Sequence, residues 1–549
     1  MKAYNLMILF SVMTAISCKQ EKIHADLIIT NASIYSVDSS MNIAESMAIE
    51  NGKILAIGKT VDIISKYKAN KTLDAKGKFI YPGLIDAHCH FYGYAMTQYR
   101  YANLVGTKSF DEILRVLKKF AEGKNENEWI LGRGWDQNDW QRKSFPTKEK
   151  LDVLFPNNPV ILIRIDGHAI LANSLALKKV GFDINTKIIG GNLQSANGRL
   201  TGVLLDNAAD SLTKLIPALY ENDSKKALVN AQKDCFSVGL TTVVDAGLEA
   251  NQIELINQMQ KDNILKMRIY AMLSSTEENF KKYVEKGIYK TPFLHIQSVK
   301  LYADGALGSR GACLLESYSD DIKNYGLLLN SPEKLRSFLE RIYKAGYQAN
   351  SHAIGDSAAR ILLNLYADIL KVKNDRRWRI EHAQVINKND FHYFGDYNII
   401  PAVNTTHATS DMFWADERLG FERLKYAYAY KMLLQQNGWL TNGSDFPIES
   451  INPIYGFYAA VARKNIDGLP ENGFQIENSL SREEALKAMT IWAAKGCFEE
   501  NEKGSLEVGK LADFVVLDSD IMKISISEVP SVKVLKTFVG GLEVFSFKK

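Results

Sequence analysis

The chain has 549 residues, which is too long for one ordinary domain, and its 46% hydrophobic and 24% charged residues are typical of a soluble globular protein. The 67 basic and 63 acidic residues give a net charge of only +4 and are spread along the chain without a basic run. This distribution argues against nucleic acid as a partner and against extended disorder.

The N-terminal residues have the pattern of an export signal. Lys2 is followed by an apolar run, residues 6–16, and then by Ser17 and Cys18. The run is far shorter than the roughly 20 residues of a membrane-spanning helix. A small residue before a cysteine resembles the lipobox of bacterial lipoproteins. We therefore expect a signal peptide over residues 1–18 that is cleaved before Cys18, with lipid attached to that cysteine; an ordinary signal peptide is the alternative.

This expectation places the protein in the bacterial cell envelope, lipid-anchored at the outer membrane or the periplasmic face. Contact with the membrane would be through the lipid alone, because no later apolar run is long enough to span a bilayer. The remaining cysteines are widely separated and indicate buried thiols rather than a disulfide framework: Cys89, Cys235, Cys313 and Cys497.

The two ends of the chain have the same pattern of short predicted strands joined by turns. Residues 25–78 alternate apolar and polar positions and contain an Asn51-Gly52 turn, and the C-terminal residues contain a Gly540-Gly541 turn. Neither end has enough apolar residues for a separate core. We therefore predict one small β-sandwich built from residues 25–78 together with 500–549.

Residues 79–499 alternate strand-like runs with longer helical patterns, which predicts an α/β protein with a closed (β/α)₈ TIM-like barrel. The predicted strands are 79–87, 240–246, 265–273, 295–303, 347–351, 378–382, 399–404 and 439–444. The gap between the first and second is too long for one crossover. An inserted subdomain of about residues 100–225 is therefore expected above the barrel mouth.

Histidines cluster at the ends of these predicted strands. In His88-Cys89-His90 the two imidazoles are two residues apart, so a strand directs both to one side, where one ion could bind them. The chain has only nine histidines, and His352 and His382 end the fifth and sixth strands. Lys300 lies on the fourth strand and Asp445 follows the eighth. Catalytic residues of this fold occur at such strand ends, so the pattern predicts a metal site there.

The motifs PGLIDAHCH, VKLYADGALGSRGA, SHAIGD, RIEHAQ and NGSDFP resemble those of the binuclear amidohydrolases. More narrowly, the chain resembles the amidohydrolase family 3 branch, which includes N-substituted formamide deformylases and exoenzyme-regulatory proteins. The resemblance extends over nearly the whole chain after residue 24, and GSLEVGKLADFVVLD resembles the closing motif of the superfamily. It specifies the fold more closely than the substrate.

The resemblance implies two divalent ions held by six residues. His88, His90 and Asp445 would hold the more buried ion, and His352 and His382 the more exposed one. Lys300, as a carbamate, would bridge them; an ordinary salt-bridged lysine is the alternative. A protonated lysine would repel two cations, whereas an anionic bridge satisfies both. Zinc suits these ligands best, with manganese and iron left open.

The expected activity is hydrolysis of a carbon–nitrogen bond other than a peptide bond, in an amide, formamide or cyclic amide of a small molecule. A metal-bound hydroxide would attack, and Asp445 would move the proton to the departing amine. Hydrolysis of an ester, lactone or phosphotriester is the alternative on the same scaffold. A non-catalytic, solute-binding surface lipoprotein is a more distant alternative, and a homodimer is left open.

Residues near the strand ends are candidates for substrate contact. His407 and Arg310 could contact the substrate or the tetrahedral oxyanion, and we predict catalytic roles for both; a structural salt bridge is the alternative for Arg310. From the insertion, Trp135 and His168 are predicted to line the substrate pocket. His168 could instead stabilise the fold of the insertion.

Overall fold

A computed structural model describes residues 21–548 of the chain. The predicted signal peptide and the lipidation site Cys18 lie outside the described residues. Among those that are described, no helix is both long and apolar enough to cross a membrane.

The centre of the molecule is a barrel of parallel strands, as the sequence predicts. Each strand pairs with the next one along the chain, and the runs are buried on both faces because helices cover the outside. In order, the strands are Leu84–Cys89, Leu240–Leu248, Arg268–Ser274, Leu294–Tyr302, Gln348–Ala353, Arg379–His382, Ile400–Val403 and Thr441–Asn442. A short strand, Tyr289–Lys290, pairs antiparallel with the fourth.

The predicted first strand, 79–87, is divided between two sheets. Phe79–Pro82 pairs with Phe514–Leu517 in a terminal sheet, and the barrel strand begins only at Leu84. The division falls at Gly83, where a Cβ atom would lie 2.2 Å from Thr241 Oγ1. An apolar run that continues across such a glycine cannot be divided from sequence alone.

The eighth strand is short, and side chains help to close the barrel between it and the first. Asp445 donates its backbone N–H to the carbonyl of His88 at 2.7 Å. Ser444 Oγ donates to Asp86 Oδ2 at 2.6 Å, and Asp86 Oδ1 accepts the backbone N–H of His88 at 3.1 Å. These bonds fix the ends of the first and eighth strands relative to each other.

Helices follow the strands around the barrel. Their bounds are Phe91–Arg100, Glu221–Ser237, Ala250–Lys261, Glu277–Lys282, Pro332–Lys344, Asp356–Leu370, His392–Asp396, Thr405–Asp411, Ala415–Leu424, Tyr430–Asn437, Pro453–Ala462, Arg482–Ala488 and Ile491–Gly496. Several begin at capping residues; Ser481, for example, accepts the N–H of Glu484 while the Glu484 carboxylate accepts that of Ser481.

Both chain ends form the predicted β-sandwich. Its first sheet has the spatial order Lys53–Gly58, Ser46–Glu50, Ile23–Thr30 and Tyr67–Asp74, and a helix, Thr60–Lys66, precedes the last of these. The second sheet has the order Leu542–Ser546, Val534–Val539, Phe514–Leu517, Phe79–Pro82, Ser33–Tyr35 and Ile43–Ala44. Apolar side chains of both sheets, including Ile29 and Phe514, form one buried cluster.

The insertion between the first and second barrel strands has its own mixed sheet and apolar clusters. The spatial order of its strands is Gly191–Ala196, Arg199–Asp206, Ala169–Ala172, Val160–Arg164, Ile130–Trp135 and Ala102–Asn103. Its helices are Phe110–Phe120, Glu149–Leu154, Ser174–Val180 and Asn207–Thr213. The carboxyl ends of Ile130–Trp135 and Val160–Arg164 lead into residues that line the cavity at the barrel mouth.

Candidate metal centre and active site

The first and eighth barrel strands bring three of the predicted ligands together. Asp445 Oδ1 lies 3.2 Å from His90 Nε2 and 3.5 Å from His88 Nε2. His88 is buried, whereas the His90 side chain is 28% exposed and faces the cavity. Two imidazoles and one carboxylate thus converge from adjacent strand ends, as their spacing predicts.

The fourth, fifth and sixth strands supply the other three. Lys300 Nζ lies 3.1 Å from His88 Nε2. The ring centroid of His382 lies 4.9 Å from that of His88 and 4.6 Å from that of His352. All three residues are buried, and they line the same cavity as His90 and Asp445. The structure therefore gathers all six predicted ligand residues at one place.

The side-chain nitrogens opposite the cluster are held by hydrogen-bond partners. His90 Nδ1 lies 3.0 Å from the carbonyl of Ala246, and His382 Nδ1 lies 2.8 Å from Asn404 Oδ1. His88 Nδ1 contacts Glu381 Oε2. When Nδ1 donates to an oxygen, Nε2 keeps its lone pair, so these contacts would leave Nε2 of each ring available to a metal ion.

Glu381 is a functional residue that we did not predict from the sequence. Arg379 Nη2 donates to Glu381 Oε2 at 2.8 Å and also donates to the carbonyl of Ala87 at 2.7 Å. Burial opposes ionisation of Glu381, but the charge of Arg379 and the hydrogen bond with His88 lower its pKa to about 2. The only hint in the sequence is its position in RIEH, where Glu381 immediately precedes the candidate ligand His382 at the end of a strand.

The three fully buried imidazoles of the cluster, those of His88, His352 and His382, are neutral at pH 7. Burial, assisted by the charge of Lys300, lowers the pKa of His88 to about 4. Burial likewise holds the pKa of His352 and of His382 well below the usual value. Neutral imidazole is the form that ligates metal ions, so the burial of these rings prepares them for that role.

The donor set fits a divalent cation. Ligand atoms of His88, His382 and Asp445 lie within 4.8 Å of one another. This group combines two residues predicted to hold the more buried ion, His88 and Asp445, with one predicted to hold the more exposed ion, His382. Asp445 Oδ1 and His407 Nε2 are buried without a hydrogen-bond partner among the described residues. Buried polar atoms rarely remain unpaired, and imidazole with carboxylate is a ligand set typical of zinc.

The cluster lies at one side of a cavity of about 510 Å³ at the barrel mouth. Of the other predicted site residues, His407 and His168 line this cavity. His407 Nε2 lies 3.7 Å from Asp445 Oδ2, and the ring of His168 lies 5.2 Å from that of His352, centroid to centroid. The insertion therefore places His168 directly beside a candidate ligand.

His168 is held by a carboxylate of the insertion. Its Nδ1 lies 2.8 Å from Asp206 Oδ1. Burial would lower the pKa of His168, but the bond to Asp206 and its charge raise the pKa to about 9. His168 is thus a cation at neutral pH on the insertion side of the cavity.

The structure corrects the prediction for Trp135. Its side chain is fully buried, packs within the apolar cluster of the insertion and donates Nε1–H to the carbonyl of Leu162 at 2.9 Å. It is absent from the cavity lining, which on this side includes Arg133 and Gly134 instead. On a strand, neighbouring side chains point in opposite directions. The sequence pattern therefore predicted the strand but not which of its side chains face the cavity.

The prediction for Arg310 is corrected in the same way. Its guanidinium makes two hydrogen bonds to Asp320, at 3.1 and 2.7 Å, and it is absent from the cavity lining. Its donors are therefore directed away from the cluster, and the structural salt bridge is the observed arrangement.

Comparison with known proteins agrees with this geometry. The sequence profile of the Amidohydrolase family matches residues 71–545. The chain belongs to the amidohydrolase family. It is an enzyme of the class that hydrolyses carbon–nitrogen bonds, on a scaffold that supports metal-dependent hydrolysis.

Two relatives and one solved structure illustrate the match. The protein LONG AFTER FAR-RED 3 of Arabidopsis thaliana is 34% identical, covering 95% of this chain and 92% of its own. An N-substituted formamide deformylase of Arthrobacter pascens is 28% identical over 94% and 98% of the two chains. A metal-dependent hydrolase from Pyrococcus horikoshii superposes with a TM-score of 0.73 at 25% identity, over 91% and 99%.

Proposed function

We propose that this amidohydrolase cleaves an amide, formamide or cyclic amide bond of a small molecule with two zinc ions and a carboxylated Lys300. The observation that carries the proposal is the convergence of four histidines, Lys300 and Asp445 at one side of one cavity, which all of them except the buried His88 line. The formamide-cleaving relative, which matches nearly the full length, supports this bond class.

In this proposal His88, His90 and Asp445 hold one ion, His352 and His382 hold the other, and Lys300 lies between. Burial lowers the pKa of Lys300 to about 8, against the opposing charges of Glu381 and Asp445. The neutral amine is the form that bonds to the carbon of carbon dioxide. Loss of one proton from the resulting carbamic acid leaves an anion, which suits a position among cationic ligands.

When bound, the ions would acidify a water molecule and polarise the substrate carbonyl. Asp445 would accept the proton of the attacking water and deliver it to the departing nitrogen. The contact with His90 holds the pKa of Asp445 well below the usual value against the effect of burial, so the carboxylate is ionised before it accepts a proton. His407, whose Nε2 is buried and unpaired among the described residues, would contact the carbonyl oxygen as charge develops there.

Ester, lactone or phosphotriester hydrolysis requires the same activated water and is the second candidate. The family and the formamide-cleaving relative favour the carbon–nitrogen bond. A non-catalytic, solute-binding role is disfavoured because all six ligand residues are present and five of them line one cavity.

The decisive experiment compares zinc-loaded and chelated protein on a panel of N-formyl amines, N-acyl amines, cyclic amides and esters. We expect metal-dependent release of amine, with esters turned over more slowly. His382→Ala should abolish activity, whereas His392→Ala, which alters an exposed histidine on a barrel helix, should retain it. Turnover of esters alone, or amide turnover that survives chelation, would contradict the proposal.

We further propose that lipid on Cys18 anchors the mature protein in the cell envelope. The support is the short apolar run that ends at Ser17 and Cys18. Cys18→Ser should release the protein from the membrane fraction or block its maturation. Unchanged fractionation and unchanged gel mobility would contradict this.

A further inference from the structure

The insertion side of the cavity contains one cationic side chain with no partner. Arg133 lies on the strand Ile130–Trp135 and lines the cavity. Within residues 21–548 its guanidinium makes no hydrogen bond or ion pair, and Nε is buried without a partner. The side chain is half-buried, and a buried guanidinium nitrogen is costly to leave unpaired, so a ligand that pairs with Arg133 would reduce that cost.

The guanidinium of Arg133 lies close to the backbone at Gly167. Gly167 has a φ of +74°, and a Cβ atom there would lie 3.6 Å from Arg133 Nη2. The planar group therefore lies against the turn that carries His168. Since His168 packs beside His352, a molecule paired with Arg133 would occupy the same cavity as the candidate metal ligands.

The other arginine of the cavity is already neutralised. Arg164 contacts Asp136 and donates to Asp166 Oδ2 at 2.6 Å and to Gln137 Oε1 at 2.8 Å. The carboxylates on the barrel side are also paired: Asp411 accepts from Tyr428 Oη at 2.8 Å and Glu449 from Ser410 Oγ at 2.6 Å. Arg133 is thus the cavity cation left for a ligand among the residues described.

We propose that Arg133 binds a carboxylate of the substrate, so that the preferred substrates are N-acylated or N-formylated amino acids rather than neutral amides. This rests on the proposed amide hydrolysis and names its substrate class. The fork of a guanidinium matches the two oxygens of a carboxylate. A singly charged group is favoured over a phosphate, because Asp139, which makes no ion pair among the described residues, lines the same side and would repel a second negative charge.

The test uses matched pairs that differ only in the carboxylate. N-formyl and N-acetyl derivatives of phenylalanine and leucine are compared with those of phenethylamine and isoamylamine, on zinc-loaded protein. Wild type should favour the acids. Arg133→Met should lower kcat/KM for the acids by at least about 30-fold, the size of effect seen when one partner of a buried charge pair is removed.

The neutral amides distinguish substrate recognition from general damage. Their kcat/KM should stay within about threefold of wild type in Arg133→Met, as for substitutions that remove no contact. Arg133→Lys should retain part of the preference for acids. Arg115→Met alters an exposed arginine on the insertion helix Phe110–Phe120 and should leave both classes unchanged. Equal losses for acids and amides, or a wild-type preference for the amides, would overturn the proposal.

A binding measurement separates this inference from the proposed reaction. The N-formyl amino acids should raise the melting temperature of wild type more than the N-formyl amines do, and Arg133→Met should remove the difference. Binding of the acids without hydrolysis would leave the carboxylate site standing and contradict the proposed function. No difference between acids and amines in wild type would overturn the carboxylate site even if both are hydrolysed.

Discussion

On the barrel side of the cavity, the imidazoles of His88, His90 and His382 each have Nδ1 fixed by an oxygen from another strand or from a loop. On the insertion side, Arg164 is locked between carboxylates, whereas Arg133 has no partner within the described chain. The barrel side is built to hold its own side chains in one arrangement. On the insertion side, the guanidinium of Arg133 remains available to a ligand. Variation of such residues around a constant barrel allows one fold to act on many substrates.

The largest effect should come from the carboxylate between the histidines. Asp445→Asn keeps the shape of the side chain but removes its ability to accept a proton at neutral pH. We expect kcat to fall by about 10²- to 10⁴-fold, as is typical of general acid–base groups. Metal content, measured on the same samples, is the control. Near-normal turnover with full metal content would remove Asp445 from its proposed role.

A substitution of Trp135 tests whether this residue belongs to the apolar core of the insertion and not to the cavity. Trp135→Ala should destabilise the protein by about 3–5 kcal/mol, because it empties a fully buried site. Denaturant unfolding gives this free energy, and KM measured at low temperature should change little. An unaltered unfolding free energy together with a raised KM would return Trp135 to the substrate pocket.

The partner of His88 should affect metal binding more than folding. Glu381→Gln preserves volume but removes the charge that Arg379 and His88 share. We expect zinc affinity to fall by about 10- to 100-fold, the usual effect of replacing a residue that orients a ligand. A competition titration against a chromophoric chelator measures it. Unchanged affinity would show that His88 is oriented without Glu381.

The smallest effect is expected at the residue that the structure moves out of the site. Arg310→Gln should cost at most about 1 kcal/mol, since its pair with Asp320 is partly exposed. Arg418 also contacts Asp320 and would retain part of the interaction. Steady-state kinetics should show kcat/KM close to wild type. A loss of two orders of magnitude would restore the catalytic role predicted from the sequence.

The sequence predicted the site residues that lie at the ends of predicted barrel strands. His88, His90, His352 and His382 could be found because a barrel presents the carboxyl ends of its strands at one face. Glu381 is adjacent to the candidate ligand His382 in RIEH, but the sequence could not show that it contacts His88, because that contact depends on which strand ends face each other across the barrel. Trp135 and Arg310 were misplaced because side-chain direction depends on register and loop course, which composition and spacing do not determine.

The proposed activity depends most directly on two ions and a modified lysine at the barrel mouth. Crystals of the zinc-loaded protein, with anomalous data collected at the zinc edge, test this in one measurement. We expect two anomalous peaks, ligated by His88, His90, His352, His382 and Asp445, with continuous density for a carboxylate on Lys300 Nζ between them. A single peak, or an unmodified amine at Lys300 in crystals of active enzyme, would contradict the account.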